Sequence, residues 1–180
     1  MQSEFGRIGK RLFAEGLIGA SFGNMSVRSG TGFFITRSGS YLDCPKSPVF
    51  VPMDGDVPED ASSEYRVHRA VYRSTDHQAV IHAHPPHAIA LSLSCDRIVP
   101  MDVEGLTLAP VIPVVVGVCG SDELAGRIAR GLQECRVTVA RGHGTFAAGK
   151  SLDEAYLFTS LAEHSCRILV LAGAYGRRQD

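Results

Sequence analysis

The segment Ala79-Val80-Ile81-His82-Ala83-His84-Pro85-Pro86 constrains the fold of this chain more than any other: a hydrophobic run ends in alternating apolar and imidazole side chains, then meets two prolines. Side chains on a strand repeat every second residue, so His82 and His84 face the same side of any sheet this run joins. The prolines supply no backbone donors and end the strand. Each buried neutral imidazole needs partners for two ring nitrogens, and two rings on one face need several of them in a small volume. Taken alone, the pair fits either a metal site or two core histidines satisfied by polar neighbours.

A third imidazole, His143, lies between Gly142 and Gly144, which let the backbone turn sharply and let a large ion approach closely. Three neutral nitrogens plus one exchangeable position is the usual coordination of a catalytic zinc, unlike the closed shell of a structural one.

At 180 residues the chain is long enough to bury a core without staples, and residues 1–180 read as one domain. The net charge of -1 and 21% charged residues give no electrostatic reason to expect nucleic acid or an acidic membrane as a partner, which leaves small molecules. Five cysteines without C-x-x-C spacing read as reduced, mostly buried thiols. Met1–Arg7 has no apolar leader and no stretch is long enough to span a bilayer, so a cytoplasmic location is expected.

Phe5, Ile8, Leu12 and Phe13 recur at helical spacing over residues 4–16. Met25–Arg28 and Phe33–Thr36 flank a Ser-Gly-Thr-Gly turn and read as a hairpin, followed by a strand over Val49–Met53. Ser62-Ser63 is the expected N-cap of a helix through Tyr72. After the strand Val80–His84 come a helix over His87–Ser94 and strand candidates at Ile98–Val103 and Ala109–Val118. Then follow a helix over Asp122–Gln133, strands at Val137–Ala140 and Thr145–Ala148, and a helix opened by the capping box Ser151–Glu154 and running to about Leu171. Short hairpins among interspersed helices predict an α/β protein with a mixed or antiparallel sheet.

Small and hydroxyl residues cluster at Ser21-Phe22-Gly23-Asn24, Thr36-Arg37-Ser38-Gly39 and Ser62-Ser63. Each alone is an ordinary turn or cap. Together they offer backbone N–H groups, hydroxyls, an amide and a helix start, the parts of a phosphate cradle that needs little positive charge. Glu64 follows directly on the serine pair, where helix electrostatics also favours a carboxylate. His68, four residues later on the same helical face, suits either a contact behind the site or a surface pair, and the surface pair is the simpler expectation.

In order along the chain, Gly23–Arg28, Thr36–Gly39, Ser62–His68, Ile81–Pro85 and His143-Gly144 through Gly149–Ala155 together resemble the class II aldolase/adducin family, over about residues 17–171. The resemblance implies a three-layer α/β/α fold with a mainly antiparallel central sheet, assembled as a homotetramer with sites near subunit interfaces. It also implies that His82, His84 and His143 bind Zn²⁺, with Co²⁺, Mn²⁺ or Fe²⁺ suiting similar ligands, and that Glu64 is the acid/base residue. Asn24, Ser38, Gly39, Ser62 and Ser63 match the positions that hold a substrate phosphate. The implied reaction cleaves a ketose 1-phosphate to dihydroxyacetone phosphate and an aldehyde through a metal-stabilised enediolate. Glutamate after the serine pair favours the aldolase branch over the 4-epimerases, and the retained histidines argue against the adducin-like branch.

Family aldolases carry a tyrosine before the helix that here opens at Gly120-Ser121-Asp122-Glu123-Leu124, where it polarises the aldehyde half of the substrate; Val114–Cys119 contains none. Arg37 stands where the family commonly has proline, an added guanidinium that would tighten the anion site or admit a carboxylate. Tyr175 near the short C-terminus is a candidate substitute acid, and Arg177-Arg178 read as a solvated end. Another metal-dependent lyase, dehydratase, decarboxylase or epimerase, and a non-catalytic oligomerising module, stay open as alternatives.

Overall fold

The computed structural model describes residues 2–176, and side chains as far as residue 173; the side chain of Tyr175 and the pair Arg177-Arg178 lie outside the described residues. Helix α1, Gln2–Ala14, buries Phe5, Ile8 and Leu12 on one stripe. Strands β1 (Asn24–Ser29) and β2 (Gly32–Ile35) pair as the expected hairpin, and β3 (Val49–Pro52) adds to its outer side. Helix α2 (Tyr65–Ser74) leads to β4 (Ala79–Ala83) and α3 (Pro86–Ser92). Next come β5 (Arg97–Ile98), α4 (Val103–Leu108), β6 (Ile112–Val115), α5 (Asp122–Glu134), β7 (Val137–Ala140), β8 (Gly144–Gly149) and α6 (Leu152–Gly176).

The strands form one sheet in the order β3-β2-β1-β4-β8-β7-β6-β5. Neighbours run antiparallel except β6 and β7. Alternation sorts the side chains between two helical layers. Val80, Phe146 and Ala148 pack with Val67 and Val71 of α2 and Leu124, Ile128 and Leu132 of α5. Ala79, Ile81 and Ala83 face the other way, onto α1 and the start of α6. Farther along that side, Ala147, Val137 and Val139 meet Phe158, Leu161 and Ala162 of α6. This is the expected three-layer arrangement with a mainly antiparallel sheet.

Three boundaries differ from the sequence reading. The strand expected over Ile98–Val103 is only β5, because Asp102 caps a helix instead, its Oδ2 accepting from the Gly105 N–H at 2.8 Å. The strand over Ala109–Val118 shrinks to β6: β7 offers partners only as far as Ala140, and Val116 and Val118 beyond that are exposed. The last helix continues to Gly176. No described helix is long and apolar enough to cross a membrane.

Register and direction bring selected strand ends to one edge. Asn24 opens β1 opposite His82 near the end of β4, Ala83 pairs with Thr145 near the start of β8, and Ala140 at the end of β7 pairs with Gly144. Because β6 runs parallel to β7, the segment after Val115 leaves the sheet at the same edge as His143. The segment after β2, carrying Ser38 and Gly39, joins them through the hydrogen bond from the Thr36 N–H to the Met25 carbonyl, 3.0 Å.

Candidate active site

That edge holds a cavity of about 260 Å³. It is lined by Asn24, Ser38, Gly39, Ser62, Ser63, Glu64, His82, His84 and His143, the nine residues expected to hold metal or phosphate or to move a proton, together with Phe22, Arg37 and Cys119 among others. Two larger hollows elsewhere, of about 540 and 710 Å³, contain no converging imidazoles.

His82, His84 and His143 each present a ring nitrogen within 4.8 Å of the other two. The Nε2 atoms of His82 and His84 are 3.0 Å apart. His82 packs flat on Phe146, centroids 4.1 Å apart, and its Nδ1 lies 3.0 Å from the Thr145 carbonyl. Since a carbonyl only accepts, the proton sits on Nδ1 and the Nε2 lone pair is left for the cavity. His84 stacks on Phe22 at 5.5 Å. The turn before His143 uses Gly142 at φ 66°, in the left-handed region. At Gly144 a Cβ would lie 2.2 Å from the Ala83 carbonyl oxygen, so β4 and β8 could not approach as they do with any side chain there.

Burial first, then the neighbouring His143 and His84, holds His82 well below the usual imidazole range. Burial and His143 bring His84 down to about 4. Both are therefore neutral near pH 7, the form that ligates metals. Glu64 is 6% exposed, and its Oε2 is buried with no hydrogen-bond partner among the described residues. An orphaned carboxylate oxygen beside neutral imidazoles is the chemistry that a divalent cation or a substrate proton completes, so the residues present fit a metal.

Helix α2 is not capped by serine. Glu64 occupies the cap position at φ -79° and ψ 5°, with no side-chain cap bond, and the serines fall one and two residues too early, Ser62 being tied through its N–H to the Thr36 carbonyl. Ser62 and Ser63 line the cavity instead. Arg37 also differs from expectation: its guanidinium is paired with Asp60, and its Nε donates to the Ser47 carbonyl at 2.8 Å.

Two residues in and behind the site escape the sequence reading. His68 is not a surface residue; it is fully buried, with Nε2 2.6 Å from Asn24 Oδ1 and Nδ1 2.6 Å from Ser26 Oγ. Cys119 is expected among buried thiols, yet only Cys166 of the five is fully buried, and the Cys119 thiol reaches the cavity to donate to Glu64 Oε1 at 3.3 Å. Its Sγ is also 3.7 Å from His143 Nδ1. Burial, with Glu64 adding to it, pushes this thiol up to about 11.

Residues 3–170 match the family model described as Class II Aldolase and Adducin N-terminal domain. The chain belongs to the class II aldolase/adducin family. Among solved structures, the l-fuculose-1-phosphate aldolase of Thermus thermophilus superposes with a TM-score of 0.94 at 39% identity, covering 97% of this chain and 95% of that one. The L-fuculose phosphate aldolase of Haemophilus influenzae is 31% identical over 78% of this chain and 68% of its own length. A 5-methylthioribulose-1-phosphate/5-deoxyribulose-1-phosphate aldolase of Escherichia coli is 31% identical over 81% of this chain and 71% of its own. These relatives are named as aldolases, and the chain carries a cluster able to hold a metal.

Proposed function

We propose that this protein cleaves a ketose 1-phosphate of the L-fuculose 1-phosphate type into dihydroxyacetone phosphate and an aldehyde, and that it does so with a divalent metal. The carrying observation is the meeting of three imidazoles and a buried carboxylate in one cavity with the small hydroxyl and amide residues. His82, His84 and His143 would hold the ion, Zn²⁺ first by ligand type, and when bound it supplies a Lewis acid for the carbonyl and hydroxyl oxygens of the substrate. Asn24, Ser38, Gly39, Ser62 and Ser63 hold the phosphate through N–H and O–H donors. Glu64 moves the proton at the carbon that the aldehyde leaves, and its burial keeps bulk water from delivering that proton at random.

Loss of water from the same class of substrate is a second reading, favoured by Cys119. A thiol pushed up to about 11 beside Glu64 is protonated at neutral pH, suited to giving a proton to a departing hydroxyl and poor at taking one from the hydroxyl that becomes an aldehyde. A probable bifunctional methylthioribose-1-phosphate isomerase/methylthioribulose-1-phosphate dehydratase of Nocardia farcinica is 28% identical over 91% of this chain and 34% of its own length. The test incubates fully metal-loaded protein with L-fuculose 1-phosphate and related phosphorylated ketoses. Triose phosphate release supports the aldolase, a product lighter by one water supports the dehydratase, and neither product from any of them overturns both.

A homotetramer with sites at its interfaces is part of the proposal. It is supported by the apolar side chains of Met101, Val103 and Leu106, on α4 and the segment before it, and of Val118 beside the cavity residue Cys119, all more than half exposed. Light scattering of the eluting protein measures the assembly.

A further inference from the structure

The side chains of Asn24 and Ser26 share a face of β1, and both meet His68, which α2 drives into the core one turn after Glu64. Tyr72, one turn farther along α2, places its hydroxyl 2.7 Å from Ser26 Oγ. Four polar side chains thus form a line through a region otherwise filled by Val67, Val71, Phe33 and Phe146. In such surroundings every donor and acceptor in the line has to be matched.

The order of protons is set from the Tyr72 end, where the buried hydroxyl has Ser26 Oγ as its one acceptor among the described residues and so donates to it. The ring is neutral, since burial takes His68 down to about 3, and so it carries a single N–H. Ser26 Oγ, which accepts from the Tyr72 O–H, donates its own proton to His68 Nδ1, so the ring proton is on Nε2 and Asn24 turns its oxygen to meet it. At the far end the Asn24 amide has its oxygen fixed inward. Among the described residues no group accepts from its Nδ2, and Asn24 lines the cavity beside Ser38, Gly39, Ser62 and Ser63.

We infer that Tyr72, Ser26 and His68 are positioning residues that lock the Asn24 amide with its two N–H donors toward the cavity, making this end of the site selective for an anion that only accepts hydrogen bonds. This rests on the reading that a phosphate sits here and adds what selects it. With the amide turned over, its oxygen would face the cavity and repel a phosphate dianion, while its NH₂ would meet the Nε2–H of His68 and leave two buried groups unmatched. A hydroxyl or ammonium ligand would gain from that reversal; the order of protons forbids it.

The test uses metal-loaded protein and inorganic phosphate as the probe. Nitrogen NMR of histidine-labelled protein should find His68 protonated at Nε2 and bare at Nδ1, unchanged between about pH 5 and 8, because its titration lies below that window. Calorimetry should show Ser26→Ala weakening phosphate binding about tenfold, as expected for a misaligned bond to a charged group, with metal content unchanged. Ser26→Thr, which keeps the hydroxyl, should restore it, and Tyr72→Phe should give a smaller loss in the same direction. With any substrate that is turned over, Ser26→Ala should raise KM and leave kcat. A proton found on Nδ1, phosphate affinity unmoved in Ser26→Ala, or no phosphate binding by the unmodified protein each overturns the inference. Failure to cleave or dehydrate any ketose phosphate, with phosphate binding and the His68 proton as stated, removes the proposed reaction and leaves this inference standing.

Discussion

His82 on β4 and His84 just past its end bring their Nε2 atoms to 3.0 Å, and the His82 proton is held on the far side of its ring by the Thr145 carbonyl. Two lone pairs this close are favourable only around a shared proton or a shared cation. His84→Ala should therefore lower metal retention at least about tenfold, the scale seen when groups supporting a metal site are removed. Elemental analysis after dialysis reads it, and retention equal to the unmodified protein contradicts the ligand assignment.

Glu64→Gln keeps the shape of the side chain and removes its ability to exchange a proton. Because Glu64 Oε2 is unpartnered among the described residues, no structural bond is lost there. Metal content should persist while kcat falls by about 10²–10⁴. Loss of metal together with activity would make Glu64 a ligand first.

His68 gives the fold an acid-sensitive point. Its folded value of about 3 lies below the ordinary value of 6.5, so protons favour the unfolded chain. Its contribution is complete above about pH 6.5 and is lost progressively as pH falls toward 3, at up to roughly 1.4 kcal/mol per pH unit. His82 and His84 are displaced in the same direction and add to the slope in metal-free protein. Urea unfolding between pH 7 and pH 4 should show the decline, and His68→Gln should make it shallower. A pH-independent midpoint counts against this.

Cys119 should react slowly with iodoacetamide at neutral pH, since its thiol is held protonated by burial and then by Glu64. The rate should climb about tenfold per pH unit while the thiolate remains the minor form. In Glu64→Gln, which removes the adjacent charge, labelling at a given pH should be faster. Peptide mass spectrometry measures both, and equal rates in the two proteins would remove Glu64 as a cause.

The alternation around His82 was legible because period two is local, and so was the capping box before α6, where the Ser151 hydroxyl does accept from the Glu154 N–H. The nine site residues were legible as an ordered set, and one cavity gathers them. The serine cap was misread because the bond from the Ser62 N–H to the Thr36 carbonyl, a partner that only the β2 connection brings near, holds the serine pair in the loop ahead of the helix start at Tyr65. Cys119 depends on strand direction: its meeting with His143 follows from β6 running parallel to β7, which no local pattern states. His68 did leave a signal. With Tyr72 it sits at i and i+4 amid Val67 and Val71, which places polar groups on the core-facing stripe of an amphipathic helix and calls for buried partners.

Gly144 has no functional group, yet it sets the bite of the proposed chelate. His82 on β4 and His143 in the turn that opens β8 would reach the ion from either side of a strand pair whose spacing is that of a bare Cα against the Ala83 carbonyl. One added methyl would spread that jaw and change which ionic radius it grips, although nothing at position 144 ever touches the metal.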